Sequence, residues 1–431
     1  MASFAEKMFD RLLQTERMPQ ADARALQDSA LARIVGHARA TVPFYRERLA
    51  GVVRGDEVDR DAWLAVLPLT RADIGARFDD LQSSADMAPF GEVRKFESSG
   101  STGRPIVIRT TEYRRRVNLA VNGRMFRWMD VDARLPLIVI KGNRHPALDY
   151  GEIIPDKWVP DWMVGETHGG YARLPYPIAP REQIDRLVAF GPCYLNTQPS
   201  NLRLLFSAVA AGAPVPPIRA IMTVGELVRP EDRIAAADIL RSRLVDHYSS
   251  TEGGVIASEC AHGRMHVHAE FNRVEVLRAD GTPCAAGEDG RIVLTTLANH
   301  VMPLIRYDTG DIGAMEDGAC GCGRTLPVLT MTVGRERRAF HFSDGSAQVP
   351  LFVMEKHADI FPVTEWQMRQ TAVDRLELRF ASDSPDSGLD RAALQDRVRA
   401  YFGPKAELDF RRFDTVPRTA SGKLEPFMRD F

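Results

Sequence analysis

The sequence lacks long apolar runs and any excess of one sign of charge. No stretch of about 18 consecutive apolar residues occurs, which argues against a transmembrane helix. The 56 basic and 58 acidic residues leave a formal net charge of −2, which gives no electrostatic reason to expect nucleic acid or a membrane surface as a partner. The N-terminal segment carries scattered charges and no apolar core of a signal peptide, so we expect a cytoplasmic protein.

Cysteine is also scarce, with five residues in a chain of 431. A small, odd number in a long chain without an export signal does not suit a disulfide framework and indicates a reducing compartment. A cluster of cysteines in this chain would therefore indicate a metal site. The cysteines are Cys193, Cys260, Cys284, Cys320 and Cys322.

The pattern of apolar residues predicts an α/β protein with more than one domain, because 431 residues are too many for one compact core. Helical spacing marks the first fifty residues and residues 112–129, whereas residues 219–226 are typical of a buried strand. Strands and helices alternate over residues 90–260. Short alternating strands from about residue 265 predict an antiparallel β subdomain, and the mixed patterns beyond residue 334 predict a small α+β domain.

A serine- and glycine-rich loop, SSGSTGRP, extends from Ser98 to Pro105. Glycine lets the backbone approach phosphate closely, and backbone N–H groups and hydroxyls donate hydrogen bonds to phosphate oxygens. The spacing is not that of the Walker loop, G-x-x-x-x-G-K-[ST]. Taken alone, the loop is consistent with a triphosphate site or with a flexible turn.

Four further motifs follow this loop: HYSSTEG (His247–Gly253), RYDTGD (Arg306–Asp311), Gly334-Arg335 and PRTASGK (Pro417–Lys423). In content and order, the five motifs resemble those of the adenylate-forming superfamily, which includes acyl-CoA synthetases, adenylation domains and luciferases. The chain length, VPFYR at residues 42–46 and CGCGRTLP at residues 320–327 are similar to the phenylacetate–CoA ligase-like branch.

The resemblance implies a fold and an activity. Residues 1–333 would form a large α/β adenylation domain with its β subdomain, and residues 334–431 a small mobile α+β domain. The enzyme would use ATP and Mg²⁺ to activate a carboxylic acid as an acyl-adenylate, and would then form a thioester with CoA. The branch also implies a homodimer.

The resemblance assigns most of the nucleotide site to two motifs. Tyr248 would stack on adenine, and Ser249 and Thr251 would lie with it in the nucleotide site. The β- and γ-phosphates would be held by Ser98, Ser99, Gly100, Ser101, Thr102 and Gly103.

Four charged residues would complete the site that the resemblance implies. Glu252 would hold Mg²⁺, Asp311 would accept hydrogen bonds from the ribose hydroxyls, and Arg335 would lie near ribose or phosphate. Lys423 would reach the charge that develops between the carboxylate and the α-phosphate, where a cation reduces repulsion most effectively. Singly, Lys423 could be a solvated lysine and Asp311 a turn residue, but the order of the motifs favours the catalytic roles.

The acid would bind where three segments of the large domain meet. The mixture of aromatic and small polar side chains in these segments favours an aromatic or other compact acid over a long fatty chain. The predicted contacts are Tyr194, Asn196, Gly225, Glu226 and Tyr248.

The cysteines suggest a second site. Three cysteines and one histidine form a common tetrahedral set for zinc, and four protein ligands leave no open position, so such a zinc would be structural. The pattern C-x-H-G-x-x-H at residues 260–266 is similar to a segment in related ligases. This similarity implies Cys260, His266, Cys320 and Cys322 as ligands, with His262 as the alternative histidine. The other interpretation is a group of buried cysteines beside a surface strand that carries histidines.

The segment after Gly334-Arg335 departs from the pattern of the branch. Ligases of this branch carry an acidic hinge residue and then a segment like I-x-R-G-x-N-V-x-P, whereas residues 336–350 read ERRAFHFSDGSAQVP and place Arg337 at the hinge. In the family this region lines the thiol tunnel. Adenylation is therefore expected, while the acceptor could be CoA, a carrier-protein thiol or a nitrogen nucleophile. A non-catalytic nucleotide-binding protein is the remaining hypothesis.

Overall fold

A computed structural model represents the protein and describes most of the chain. The described residues are 2–97, 106–141, 154, 156–164, 167–175, 178–333, 340–344, 347–348, 354–418, 424 and 427–431. Three predicted elements of the site lie outside them: the phosphate loop Ser98–Gly103, Arg335 and Lys423.

Two helices open the fold, as the helical spacing predicts. Helix α1 (Phe4–Thr15) begins at a capping box in which Ser3 and Glu6 exchange side-chain-to-backbone hydrogen bonds. Helix α2 (Gln20–Thr41) buries its apolar stripe, from Leu31 to Ala38, in the core of the N-terminal region. Four short elements follow: β1 (Val53–Arg54), β2 (Glu57–Val58), α3 (Arg60–Ala65) and α4 (Arg71–Ala76).

Paired strands and a long helix flank the phosphate-loop sequence. Strand β3 (Val93–Glu97) pairs antiparallel with β4 (Val107–Thr111), so the loop sequence connects two paired strands. Helix α5 (Glu112–Met129) follows directly, and the hydroxyl of Thr111 accepts the N–H of Arg114 to cap it.

The described residues place eleven strands in one central sheet. The strands are β5 (Leu137–Lys141), β6 (Tyr171–Pro175), β7 (Cys193–Thr197), β8 (Ile218–Thr223), β9 (Arg243–Ser250), β10 (Gly254–Glu259), β11 (Met265–Val267), β12 (Asn272–Leu277), β13 (Gly290–Thr296), β14 (Tyr307–Glu316) and β15 (Val328–Val333). Their spatial order is β12-β13-β14-β15-β11-β10-β9-β8-β7-β5-β6.

Strand β9 joins a parallel half of this sheet to an antiparallel half. It pairs parallel with β8 and antiparallel with β10. The strands from β11 onwards, which the sequence predicts as a β subdomain, therefore continue the sheet that β5–β10 begin. Helices α6 (Pro180–Phe190), α7 (Pro199–Ala210) and α8 (Pro230–Asp238) lie between the parallel strands along the chain. In such a sheet, ligands bind at the carboxyl ends of the parallel strands.

The C-terminal region forms a separate small sheet. After β16 (Phe340–His341) and β17 (Ala347–Gln348), the sheet has the order β20-β19-β18-β21, from β18 (Glu365–Ala372), β19 (Arg375–Ala381), β20 (Glu407–Arg412) and β21 (Phe427–Arg429). Helix α9 (Arg391–Phe402) packs Leu394 and Val398 against the strands in a core of its own. This is the α+β unit that the sequence predicts, although the boundary at residue 334 stays a prediction because it lies outside the described residues.

None of the described helices is both long and apolar enough to cross a membrane.

Candidate active site

A tight turn between β9 and β10 carries the acid of the HYSSTEG motif. The turn joins Ser250 to Gly254, and Ser250 Oγ accepts the N–H of Gly253 at 2.8 Å. Gly254 has a φ of 67°, a left-handed conformation that favours glycine. A β-carbon at Gly253 would lie 2.6 Å from Leu294 Cδ2, so the turn packs closely against β13. The hydrogen bond within the turn and the packing of the turn against β13 therefore fix the position of Glu252.

Two residues that the resemblance assigns to the nucleoside contact each other. Tyr248 Oη donates a hydrogen bond to Asp311 Oδ2 at 2.7 Å. Asp311 follows Gly310, which has a φ of 75°, and its N–H donates to Thr309 Oγ1 at 3.2 Å. Because Tyr248 lies in β9 and Asp311 in β14, this hydrogen bond joins the HYSSTEG and RYDTGD motifs into one site.

Glu252 forms a buried ion pair with an arginine from the N-terminal region. Its Oε1 accepts hydrogen bonds from Arg71 Nη1 and Tyr307 Oη, both at 3.3 Å. The Arg71 and Glu252 side chains are only 10% and 6% exposed, so salt screens this pair little. Ser249 is half-buried in β9, and Thr251 is exposed at the turn.

Backbone hydrogen bonds bring Arg71 to the site. The N–H of Leu69 donates to Arg306 O at 2.8 Å, and the N–H of Asp308 donates to Leu69 O at 2.9 Å. Thr70 then caps α4, in which Arg71 is the first residue. The capping pattern predicts a helix start from sequence, but no local signal connects it with the distant RYDTGD motif, so Arg71 is a site residue that sequence reasoning missed.

A second buried cation lies beside the same turn. Arg114 is 4% exposed, and its Nη2 group donates to Gly253 O. Burial lowers the pKa of Arg114 to about 10. Among the described residues its Nη1 atom has no hydrogen-bond partner. Two buried arginines, Arg71 and Arg114, therefore contact this turn, an environment that favours an anionic ligand.

The residues predicted to contact the acid are not equally well placed. Asn196, near the carboxyl end of β7, has a buried Oδ1 without a partner among the described residues, and Gly225 turns the chain after β8 with a φ of 78°. Tyr194 is 1% exposed near the amino end of β7, and its Oη accepts the N–H of Asp132 at 2.9 Å. Tyr194 is thus a core residue, and its position does not support the predicted contact with the acid.

Glu226 makes contacts that the sequence does not predict. Its Oε2 accepts the N–H of Ser200 at 2.8 Å, and its Oε1 accepts Ser200 Oγ at 2.8 Å and the N–H of Leu424 at 3.0 Å. Both carboxylate oxygens are therefore engaged, and Leu424 is the residue that follows Lys423 in the chain.

Comparisons with known proteins agree with the motifs. No protein-family model matches the chain. The phenylacetate–coenzyme A ligase of Thermus thermophilus is 27% identical to it over 356 residues, which are 74% of this chain and 72% of the relative. The phenylacetate–coenzyme A ligase of Escherichia coli is 25% identical over 338 residues, which are 73% of this chain and 71% of the relative.

A solved structure shares the fold over nearly the whole chain. The crystal structure of 2-hydroxyisobutyryl-CoA ligase in its postadenylation state aligns with a TM-score of 0.72 and 18% identity, over 97% of this chain and 91% of that chain. The same ligase in its thioesterification state gives a TM-score of 0.61. The chain is thus similar to enzymes of the adenylate-forming superfamily and, within it, to phenylacetate–CoA ligases.

The chain also gathers the four predicted metal ligands. One donor atom from each of Cys260, His266, Cys320 and Cys322 lies within 4.8 Å of the others, the single such group among the described residues. Cys260 Sγ is 3.7 Å from Cys320 Sγ, and Cys322 Sγ is 3.3 Å from His266 Nε2. A tetrahedral zinc ion separates such atoms by roughly 3.5–3.8 Å. His266, and not the alternative His262, therefore belongs to the group.

The ring of His266 is oriented for a metal at Nε2. Its Nδ1 lies 3.1 Å from Leu326 O, a distance at which the protonated nitrogen donates to the carbonyl and leaves Nε2 as the unprotonated ligand atom. Burial lowers the pKa of His266, which favours this neutral form. The donor set and its hydrogen bonding therefore fit zinc.

A buried carboxyl lies two residues before Tyr248, in strand β9. Asp246 Oδ1 accepts Thr223 Oγ1 at 2.7 Å and the N–H of His247 at 2.9 Å. Burial raises the pKa of Asp246 to about 6, and the nearby Glu259 adds to the rise, while Arg233 and these two hydrogen bonds oppose it. Asp246 is a second residue that sequence reasoning missed.

Asp246→Asn is expected to stabilise the protein above pH 6. Between about pH 4 and pH 6, folded Asp246 keeps a proton that the unfolded chain has released, so its contribution to stability falls as the pH rises through that range. The loss amounts to about 3 kcal/mol at most for a pKa difference of this size. The free energy of unfolding should be measured by denaturant titration from pH 4.5 to pH 8. Its decrease with rising pH, expected in wild type, should be absent from Asp246→Asn.

Asp238→Asn provides the control, because it removes the charge of an exposed carboxyl and leaves the buried carboxyl of Asp246 in place. Equal pH dependence in wild type and Asp246→Asn would contradict the raised pKa.

Proposed function

We propose that the protein activates a carboxylic acid with ATP through an acyl-adenylate and transfers the acyl group to the thiol of CoA. The observation that carries the proposal is the Tyr248–Asp311 hydrogen bond, which joins two nucleotide motifs beside Glu252. The sequence relatives are phenylacetate–coenzyme A ligases, which supports the same activity.

In the first step, a carboxylate oxygen forms a bond to the α-phosphorus, the bond from that phosphorus to the bridging oxygen breaks, and pyrophosphate leaves. Asp311 would accept the ribose hydroxyls and Tyr248 would cover the adenine, which fixes the α-phosphate for attack. Lys423 would offset the negative charge that develops in the transition state. Arg71 and Arg114 would attract the phosphates to this edge of the site.

Glu252 would hold Mg²⁺. Magnesium takes oxygen ligands, often one carboxylate together with phosphate oxygens, and Glu252 supplies such a carboxylate. The hydrogen bonds from Arg71 and Tyr307 both reach Oε1, so Oε2 is the oxygen that suits the metal. The ion would offset charge on the phosphates.

In the second step, the sulfur of CoA attacks the acyl carbon, the carbon–oxygen bond to AMP breaks, and the thiol proton passes to solvent. Residues 336–350, which depart from the pattern of the branch, favour a second candidate. In that candidate the acceptor is a nitrogen nucleophile or a carrier-protein thiol, and the first step is unchanged.

The acid would be aromatic or otherwise compact. Asn196 Oδ1, which has no partner among the described residues, can accept a hydrogen bond from a small polar substituent at the carboxyl end of β7. The cysteine–histidine group would bind a structural zinc ion, because all four of its donors come from the protein. A cytoplasmic location and a homodimer complete the proposal.

Acid-dependent exchange of pyrophosphate into ATP tests the first step. We expect wild-type protein to catalyse this exchange with aromatic acids, and Lys423→Ala to reduce the rate about 10²–10³-fold, the usual cost of removing one preorganised group that stabilises developing charge. The variant should still bind ATP and unfold at the wild-type temperature. Lys405→Ala, an exposed lysine of the same domain, is the matched control.

Each alternative has its own outcome in this experiment. Undiminished exchange in Lys423→Ala would refute the role of Lys423. A preference for long-chain acids would refute the compact-acid pocket. Exchange without a thioester when CoA is added would favour the second candidate, a nitrogen nucleophile or a carrier-protein thiol.

Zinc should be present at one ion per chain when metal content is measured by mass spectrometry. Cys322→Ser should lose most of the zinc and unfold at a lower temperature, because metal binding contributes to folding. Cys284→Ser, which lies outside the group, should keep both properties. A folded wild-type protein without zinc, or equal metal loss in both variants, would contradict the assignment.

A further inference from the structure

A network of polar side chains joins the small C-terminal sheet to the large domain. Arg418 Nη1 donates to Ser200 Oγ at 2.8 Å, and Arg418 Nη2 pairs with Glu365 Oε1. Glu365 Oε2 accepts the N–H of Val416 at 2.9 Å. Glu226 binds the same Ser200 and the N–H of Leu424. We call Ser200, Glu226, Glu365, Arg418 and the Leu424 N–H the docking network.

Most of the docking network is buried, and Arg418 and Glu365 form an ion pair within it. The Arg418 and Glu365 side chains are 8% and 4% exposed, and Ser200 is 2% exposed. Buried charges that keep their partners are tolerated, whereas removing one partner leaves the other desolvated and unpaired. The network therefore strongly favours this one arrangement of the two sheets.

A cation–π contact supports the same arrangement. The Arg229 guanidinium of the large domain lies 5.6 Å from the ring centre of Trp366 in β18. Trp366 packs edge-to-face on Phe427, with ring centres 5.2 Å apart. Phe427 begins β21, so the strand that follows the PRTASGK motif is also held near the large domain.

We propose that Glu226 and Arg418 are positioning residues that dock the PRTASGK segment for the adenylation step. Arg418 lies within that motif, and Leu424, whose N–H Glu226 accepts, follows Lys423 directly. Neither residue needs to touch the acid or ATP in order to place Lys423. The inference rests on the proposed function, because it assigns a task to the site of that reaction.

The arrangement agrees with a role in the first step. The chain aligns better with 2-hydroxyisobutyryl-CoA ligase in its postadenylation state than with the thioesterification state of the same ligase, at TM-scores of 0.72 and 0.61. Glu226, which the sequence assigns to the acid pocket, instead accepts the N–H of Leu424, the residue after Lys423. A change at Glu226 should therefore alter the rate of adenylation, not the affinity for the acid.

Glu226→Gln is the direct test. Glu226 accepts hydrogen bonds from three donor groups. In glutamine an NH₂ group replaces one carboxylate oxygen, and because NH₂ is itself a donor it cannot accept from these groups. A hydrogen bond to a charged group contributes about 1.5–3 kcal/mol, so kcat for ATP–pyrophosphate exchange should fall about tenfold or more. The KM for the acid should stay unchanged. Thioester formation from a synthetic acyl-adenylate and CoA should keep its rate or increase.

Two further variants exclude a loss of fold as the explanation. Arg418→Gln should show the same profile, and Arg418→Lys should recover part of the exchange rate. Combining Glu226→Gln with Arg418→Gln should cost little more than either change alone, because the residues act together. The exposed Glu231→Gln is the control, and thermal unfolding monitors stability in every variant.

Three results would overturn the inference. A raised KM for the acid with unchanged kcat would place Glu226 in the acid pocket. Equal loss in both half-reactions would make its role purely structural, and wild-type rates would show that the network has no role. Absence of acid-dependent exchange in wild type would instead refute the proposed function itself.

Discussion

The hydrogen bond from Tyr248 to Asp311 depends on a single strand, β9, which pairs with a parallel strand on one side and an antiparallel strand on the other. Because β9 is shared, the nucleotide motifs of the two halves of the sheet meet at one place. In the turn that follows β9, Arg71 pairs with Glu252, and a second buried arginine, Arg114, donates to the Gly253 carbonyl. The pairing of β9 is thus the constraint on which the rest of the site depends.

Local patterns in the sequence predicted the elements well where a residue's environment is set by its neighbours in the chain. Helices α1, α2 and α5 follow from helical spacing, and β8 follows from a strand pattern that ends in a glycine turn. The motif order also predicted the family. The continuity of the sheet could not be predicted, because alternation shows that a strand exists but not which strand it pairs with.

The residues that sequence reasoning misplaced or missed all depend on distant contacts. Arg71 reaches Glu252 only because the backbone at Leu69 bonds to β14. Tyr194 has the composition of a pocket residue, yet its position near the amino end of β7 buries it in the core. Glu226 follows a glycine turn, which is typical of a binding loop, but its partners lie in α7 and in the C-terminal segment. No pattern of spacing contains such information.

Activation of the acid through an acyl-adenylate can be followed by the fate of a carboxylate oxygen. An acid labelled with ¹⁸O in its carboxylate would be incubated with the protein, ATP and CoA, and the nucleotide product analysed by mass spectrometry. We expect AMP that carries one ¹⁸O atom, because the carboxylate oxygen that attacks the α-phosphorus leaves with AMP. Unlabelled AMP, or ADP as the product, would contradict it.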